Sequence, residues 1–424
     1  MYLKRVALNG IKGFDNAELD FRPEGADYAG WSVVTGDNGS GKTALLRAIA
    51  MAIAGPDDAR QLLPDLRGWV AHGRSSGTIS VEIKPDHEVD RTERGGYPAK
   101  GTFWAEVEID AATSVPQIRS TDVRANKKKG ALNGPWAPST TGWLAVAYGP
   151  FRRLHGTSPD AQRVMMIPGR IPRFGTLFRE DATLGEAEQW IMDLQYKSAV
   201  DQRAGESMAL ANLLDLVRDD FLRQGVAVED VDSDGVWLRD GASRRMPLSD
   251  MSEGYRSSLA MLVDLYRHMV SVYGPDIVVR TDDGQAIVDK PAVVLIDEVD
   301  THLHPEWQRD IGFWFKLHFP CVQFIVTSHS PLVCPAADGG RLYHLPATGS
   351  GPPFRLTRDD YETVVAGRPD EILLTPAFGM EHTRSPDAVR KRERHALLIS
   401  KRLAVGLKPE EEEELAQLKL FCSH

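Results

Sequence analysis

The sequence predicts an α/β fold: a mixed sheet with helices, interrupted by a short helical lobe and followed by a helical C-terminal tail. Three observations carry this. "GDNGSGKT" (36–43) stands between a short apolar strand, "WSVVTG" (31–36), and a helical stretch, "KTALLRAIAMAIAG" (42–55). "AVVLIDE" (292–298) reads as a buried strand ending in two carboxylates. "VQFIVTS" (322–328) is a third apolar strand with a polar end. Strands that deliver polar residues at their C-terminal ends suit an open α/β sheet, which binds ligands there.

The elements follow in order. "YLKRVALNGIKGFDNAELDF" (2–21) gives two strands around a glycine turn, and the helix at 42–55 is closed by glycine. "TISVEIKPD" (78–86) and "TFWAEVEID" (102–110) alternate in period two, as antiparallel strands do. Residues 122–142 form a loop by composition, and "WLAVAYG" (143–149) returns to strand. Pro and Gly punctuate 150–175, and helical patterns follow at 185–200 and 207–222. "MSEGYRSSLAML" (251–262) starts a helix with Gly254 in its first turn, a costly residue expected only where backbone must approach something closely. A helix near 306–317 separates the last two strands, and the chain from about 357 is mostly helical, ending in the apolar stripe of "EEEELAQLKLF" (411–421).

Bulk composition excludes several classes. A chain of 424 residues with 42% hydrophobic content suits a soluble globular protein of two or three domains. No run of 18 apolar residues exists, and "MYLKRVALNG" lacks an apolar core of signal-peptide length. Cys321, Cys334 and Cys422 form no CxxC pair, so neither a disulfide framework nor a zinc site is suggested. These features predict a cytoplasmic protein with no membrane partner. A net charge of −10 argues against a surface coated by nucleic acid. Two basic stretches remain as local candidates: "RANKKKG" (124–130) and "RSPDAVRKRERH" (384–395), where Arg390, Lys391 and Arg394 can share a helix face. Neither has aromatic interleaving, and both read most simply as solvated faces.

The chemistry sits in the motifs. "GDNGSGKT" fits GxxxxGK[ST] in the strand–loop–helix context that this motif requires. Gly36, Gly39 and Gly41, with Asn38 and Ser40 between them, let backbone N–H groups curl around phosphate oxygens, and the helix N-terminus adds its dipole. Lys42 would reach the β- and γ-phosphates, and Thr43 would ligate magnesium. Asp297 would hold the same ion through water, and Glu298 can polarise the attacking water as general base. These residues predict ATP and Mg²⁺ as ligands. In "IVTSHSP" (325–331), His329 could contact the γ-phosphate.

Taken in order, the phosphate loop, "LSDMSEGYRS", "VVLIDEVDTHLHPEWQ" and "TSHSP" resemble the ATP-binding-cassette (ABC) ATPase heads of the RecF, SMC and OLD kind. The His-Leu-His-Pro run is similar to a branch of stand-alone prokaryotic ATPases that includes the ATPase subunit of Septu-type anti-phage systems. The resemblance implies an ABC-type head split between 1–150 and 245–350, a helical lobe insertion at 151–244 and a helical extension at 351–424. It makes Ser252, Glu253 and Gly254 a signature motif that caps the γ-phosphate held by a second copy, so that the chain pairs as a homodimer or higher even oligomer. It puts Asp300 at the D-loop position and His329 at the switch-histidine position. Two departures stand out: "MSEGYR" replaces the transporter LSGGQ, and "AVAYGPFRR" (145–153) occupies the Gln-loop position without glutamine. Gln195, in a helical pattern, is a poor substitute, and Arg152 and Arg153 read as surface residues.

No Toprim-like carboxylate cluster or HNH-like pattern is legible in the 95 residues after His329. Cleavage of nucleic acid would then fall to a partner. The leading expectation is an ATPase switch of prokaryotic immunity that controls a neighbour-encoded nuclease or toxin. The alternative is a RecF-like repair ATPase that binds DNA itself. A transporter energy subunit is disfavoured by the missing LSGGQ.

Overall fold

A computed structural model of the chain describes residues 1–422 apart from 23–27, 99, 113–116, 121–129, 139, 154–157, 166, 168, 201–202, 223–224 and 233–234. Two sheets build the head. The first is antiparallel, in the order β2-β1-β4-β5-β6. It comprises β1 (Tyr2–Ile11), β2 (Phe14–Asp20), β4 (Ser76–Lys84), β5 (Phe103–Asp110) and β6 (Gln117–Ser120). The second runs β16-β15-β3-β14-β13-β7. Its members are β3 (Gly30–Gly36), β7 (Ala145–Tyr148), β13 (Ala292–Ile296), β14 (Val322–Thr327), β15 (Leu342–Leu345) and β16 (Phe354–Arg355). All its pairings are parallel except that of β16. The mixed α/β fold class is as the sequence predicts.

Alternation along the central strands divides the interior into two cores. Val293 and Leu295 of β13 face one side, Val294 and Ile296 the other, as the period of two requires. The first side packs against helix α1 (Lys42–Ala54) and the antiparallel sheet. Ten of the thirteen α1 residues are buried, four of them alanines, so the helix is apolar on nearly every face and fits against β3, β4, β5 and β13. The short α2 (Pro56–Leu62) follows it. The other side packs against α6 (Glu253–Tyr273) and α7 (Pro305–His318). Trp31 sits at its centre, fully buried between Phe315 and Phe324.

Between the halves of the head come α3 (Pro159–Met165), α4 (Gly185–Ala199) and α5 (Ala204–Arg218). The sequence shows this lobe as helical only. The structure adds a small sheet, β10-β9-β8, from β8 (Ala227–Asp232), β9 (Gly235–Arg239) and β10 (Arg245–Pro247). The reason for the miss is local. A register shift between Val228 and Asp230 puts the inward residues Val228 and Val231 three apart, which breaks the alternation that marks a strand. A further hairpin, β11 (Val278–Arg280) with β12 (Ala286–Val288), precedes β13. Residues 130–133, read as loop, form a helical turn, with Trp136 donating to the Ala52 carbonyl of α1 at 2.9 Å. The basic residues 124–129 lie outside the described residues.

The C-terminal helices separate into two groups. The first, α8 (Arg358–Ala366) and α9 (Pro369–Leu373), adds Val364 and Ile372 to the main core. The second, α10 (Pro386–Ala404) and α11 (Pro409–Cys422), forms its own small cluster of Leu398, Leu415 and Leu418. Among the described residues no helix is long and apolar enough to cross a membrane.

Candidate functional site

The phosphate loop follows β3 and leads into α1 as expected. Gly41, the residue before α1, has φ +99°, and no side chain caps the helix, so its first N–H groups remain available to an anion. Gly36 leaves no room for a side chain, since a Cβ there would lie 2.5 Å from the Leu345 carbonyl. Lys42 is buried, and its Nζ donates to the carbonyls of Gly36 (2.7 Å) and Asp37 (2.9 Å). Burial pushes the lysine's pKa down, against the pull of Asp297 and Glu298. A phosphate would give this desolvated cation a stronger partner than two carbonyls.

The register of the parallel sheet brings the second motif to the same edge. Ile296 pairs with Val326, which sets Asp297 beside Thr327. Asp297 is fully buried and accepts from Thr43 Oγ1 and from Thr327 Oγ1, both at 2.6 Å. A hydroxyl and a carboxylate in contact at the loop's end are the hard oxygen donors that suit magnesium. Glu298 has φ +47°, a left-handed conformation that costs a non-glycine residue about 1–2 kcal/mol. Its N–H donates to Thr327 Oγ1 at 2.8 Å, and Thr301 Oγ1 donates to its carboxylate at 3.3 Å.

A cleft of 420 Å³ gathers Asn38, Gly39, Ser40, Gly41, Lys42 and Thr43 with Glu298 and His329. Gly36 and Asp297 do not line it but accept hydrogen bonds from Lys42 and Thr43, which do. Six lining residues have no warning in the sequence, among them Lys12, Arg47 and Thr348. Lys12 occupies the β1–β2 turn over the Trp69 ring at 5.0 Å; burial, with Arg47 nearby, lowers its pKa. Thr348 Oγ1 donates to the Gly39 carbonyl at 2.9 Å, which pins a loop after β15 onto the phosphate loop.

Ser252, Glu253 and Gly254, expected as a signature motif, lie elsewhere. Ser252 precedes α6 and makes no capping hydrogen bond with its side chain, while Glu253 pairs with Arg256 at 2.5 Å. Gly254 is buried, and a Cβ there would meet the His302 carbonyl at 2.4 Å. This glycine's small size is therefore used within its own chain, to let α6 cross the turn before α7. His302 itself has φ +65°. His304 caps α7 by accepting from the Glu306 N–H at 3.4 Å, with Pro305 at the first helical position, so His-Leu-His-Pro is a turn and a helix start. A second cleft of 470 Å³ opens here, lined by Ser252, Gly254, Tyr255, His302 and Trp307 among others; no residue lines both clefts. One carboxylate oxygen of Asp300 is buried with no hydrogen-bond partner among the described residues.

One expectation is overturned. Arg152, read as a surface residue, is 4% exposed and donates to the carbonyls of Gly149 and Asp297 at 2.9 Å and of Glu298 at 3.1 Å. The rule that arginines stay outside misled here because the backbone itself supplies the acceptors. Arg153 is exposed, as expected. In α10 the basic cluster is partly spent: Lys391 pairs with Asp387 at 2.8 Å and Arg394 with Glu414 at 2.7 Å. Among the described residues no group of three His, Cys, Asp or Glu could hold a metal, and Cys334 is a buried free thiol.

Comparison with known proteins agrees with this geometry. Residues 157–334 match the family described as "AAA domain, putative AbiEii toxin, Type IV TA system", and residues 5–132 match an "AAA domain" family. The chain is 23% identical over 407 residues to a Septu protein PtuA of Bacillus mycoides, covering 94% of this chain and 48% of that one. It is 37% identical over 95 residues to the Retron Ec83 probable ATPase of Escherichia coli, covering 22% of this chain and 16% of that one. The chain thus spans about half or less of the length of these relatives. An Smc head, solved bound to the C-winged helix domain of ScpA, matches with a TM-score of 0.50 at 15% identity, covering 85% of this chain and 99% of that one. The AAA-domain matches and the retron relative support an ATPase, and the Smc head shares the fold.

Proposed function

We propose that this chain is an ATP-binding and ATP-hydrolysing switch whose heads pair on ATP, and that it serves a prokaryotic defence system by controlling a partner such as a nuclease or toxin. The observation that carries the ATPase reading is the convergence of the phosphate loop, Lys42, Glu298 and His329 on one cleft above the Thr43–Asp297 contact. Lys42 leaves its two carbonyls for the β- and γ-phosphates. Glu298 takes the proton of the attacking water, and His329 contacts the γ-phosphate. Magnesium, held by Thr43 and through water by Asp297, would neutralise charge on the phosphate oxygens. Pairing is supported by the separation of the two clefts: Ser252 and the α6 N-terminus are an anion half-site with no phosphate loop of their own chain in it. Asp300, at the expected D-loop position, has one buried carboxylate oxygen with no hydrogen-bond partner among the described residues. The defence role is supported by similarity to a Septu protein and a retron ATPase.

Glu298→Gln tests the core of this reading. It keeps shape and hydrogen bonding but removes the base, which contributes about 10²- to 10⁴-fold. ATP turnover should fall by that factor, ATP should still bind, and a dimer should accumulate with ATP in a sizing experiment. Undiminished turnover, or a variant that stays monomeric with ATP bound, would overturn it.

A further inference from the structure

The strand β7 hands the chain to the lobe at the position where a Gln loop is expected, and the structure puts Arg152 there instead. Among the described residues its three hydrogen bonds go to main-chain carbonyls, two of them on Asp297 and Glu298. Burial pulls its pKa down to about 10, so it remains a cation at neutral pH, with Asp297, Asp300 and Glu298 supplying the opposing charge. A buried cation whose hydrogen bonds go to neutral carbonyls is an expensive way to fill space. Its placement gives it a use.

Glu298 stands in the left-handed region, where few residues rest unaided. Its peptide is held from both sides. On one side its N–H donates to Thr327 Oγ1 at 2.8 Å; on the other its carbonyl accepts from Arg152 Nη2 at 3.1 Å. With both ends fixed, only the side chain is left to move, and it lines the cleft with Lys42. The neighbouring residue is tied to the lobe: the carbonyl of Arg153 accepts from the N–H of Leu184, the residue before α4, at 2.7 Å. Gly149 packs so closely on the lobe that a Cβ would lie 2.2 Å from the Thr176 carbonyl. Any shift of the lobe against the sheet is thereby passed through Arg152 to the peptide of Glu298.

We propose that Arg152 is a positioning residue for hydrolysis: it sets the main chain of Asp297 and Glu298, and through them the direction of the Glu298 carboxylate, according to the position of the lobe. This rests on the reading of Glu298 as the general base. The test uses the full chain with Mg²⁺-ATP and compares wild type, Glu298→Gln, Arg152→Ala, Arg152→Lys and the double variant Arg152→Lys/Glu298→Gln. A wild type that does not hydrolyse ATP, or a Glu298→Gln variant with full turnover, would sink the functional reading itself. Given turnover that depends on Glu298, Arg152→Ala should lower kcat about a hundredfold while KM for ATP moves less than about threefold, because misplacement by an ångström costs rate rather than binding. Arg152→Lys should recover part of the rate, since an ammonium reaches some of the three carbonyls. In single turnover, Arg152→Lys should cost nothing further once Glu298 is already Gln, the non-additivity expected of two residues acting through one group. Should Arg152→Ala fail to fold, the lysine variant and the double variant decide alone. The inference is overturned if kcat of the lysine and alanine variants stays within about twofold of wild type, if the loss falls on KM alone, or if the lysine penalty persists in full beside Glu298→Gln.

Discussion

At the scale of single residues, the site divides by how locally each contact is made. Lys42 and Thr43 announce themselves because the loop, the strand before it and the helix after it are adjacent in the chain. Asp297 and Glu298 are legible for the same reason, as polar residues ending an apolar strand. Thr327, Lys12, Arg152 and Thr348 are not, since each acquires its role from a partner far off; even the Thr43–Asp297 contact spans 254 positions. Thr327 had one usable signal, because two parallel strands ending in polar residues must present them side by side. Gly254 shows the converse. Its oddness in a helix start is visible in sequence, but the structure gives it a cause inside its own chain. Gly254→Ala should therefore cost about 1–3 kcal/mol, as the His302 carbonyl must give way to a Cβ 2.4 Å distant. Thermal unfolding measures this, and an unchanged midpoint would show that the turn yields freely. Ser252 separates the two roles better. Its side chain is exposed and makes no capping bond. Ser252→Ala should keep the melting temperature and ATP binding yet lower turnover about a hundredfold if the hydroxyl meets a partner's phosphate. Full turnover would reduce this stretch to a plain helix start.

At the scale of elements, α6 ties the sheet to the lobe. Its Asp264 is buried and accepts from the Tyr148 hydroxyl at 3.0 Å and from Arg267 at 2.7 Å, while Arg267 reaches Glu186 of α4 at 2.9 Å. The backbone of the same Tyr148 accepts from the Asp297 N–H at 2.8 Å. Burial works against the Asp264 charge, but His268 and Arg267 outweigh it and hold the carboxyl well below the ordinary range. A carboxyl depressed on folding adds stability at pH above its unfolded value of about 4, and that stability is lost as pH falls through the lower folded value. Asp264→Asn should thus destabilise by about 3 kcal/mol at neutral pH. The gap to wild type should narrow in denaturant titrations taken below pH about 4. A gap independent of pH would mean that the carboxylate's charge is not what matters. None of this polar chain is readable in "SSLAMLVDLYRHMV", where Asp264 looks like a break in the apolar pattern. Helices and long strands are far more legible, because their periodicity is local; the β8–β9 hairpin escaped, with a bulge breaking the alternation of β8, and the three-residue strands β10, β11 and β12 are too short to show a period.

At the scale of the whole molecule, packing is uneven. Among the described residues, the last two helices share a cluster of three leucines and contribute to neither large core. Removing residues 384–424 should leave the head's melting temperature within about 2 °C, since a core that loses no contacts loses little stability. A collapse of the head in that truncation would show that α10 and α11 brace it. The central sheet is the opposite case. Its β13 is covered on both faces and both edges, and the two carboxylates of the cleft hang from its end. A strand so confined cannot bend to follow a ligand, because close-packed interiors transmit displacement rather than absorb it. Movement set off in the cleft is then expected to pass around this strand rather than through it, with the sheet as fulcrum and the lobe and helix starts as the parts free to turn.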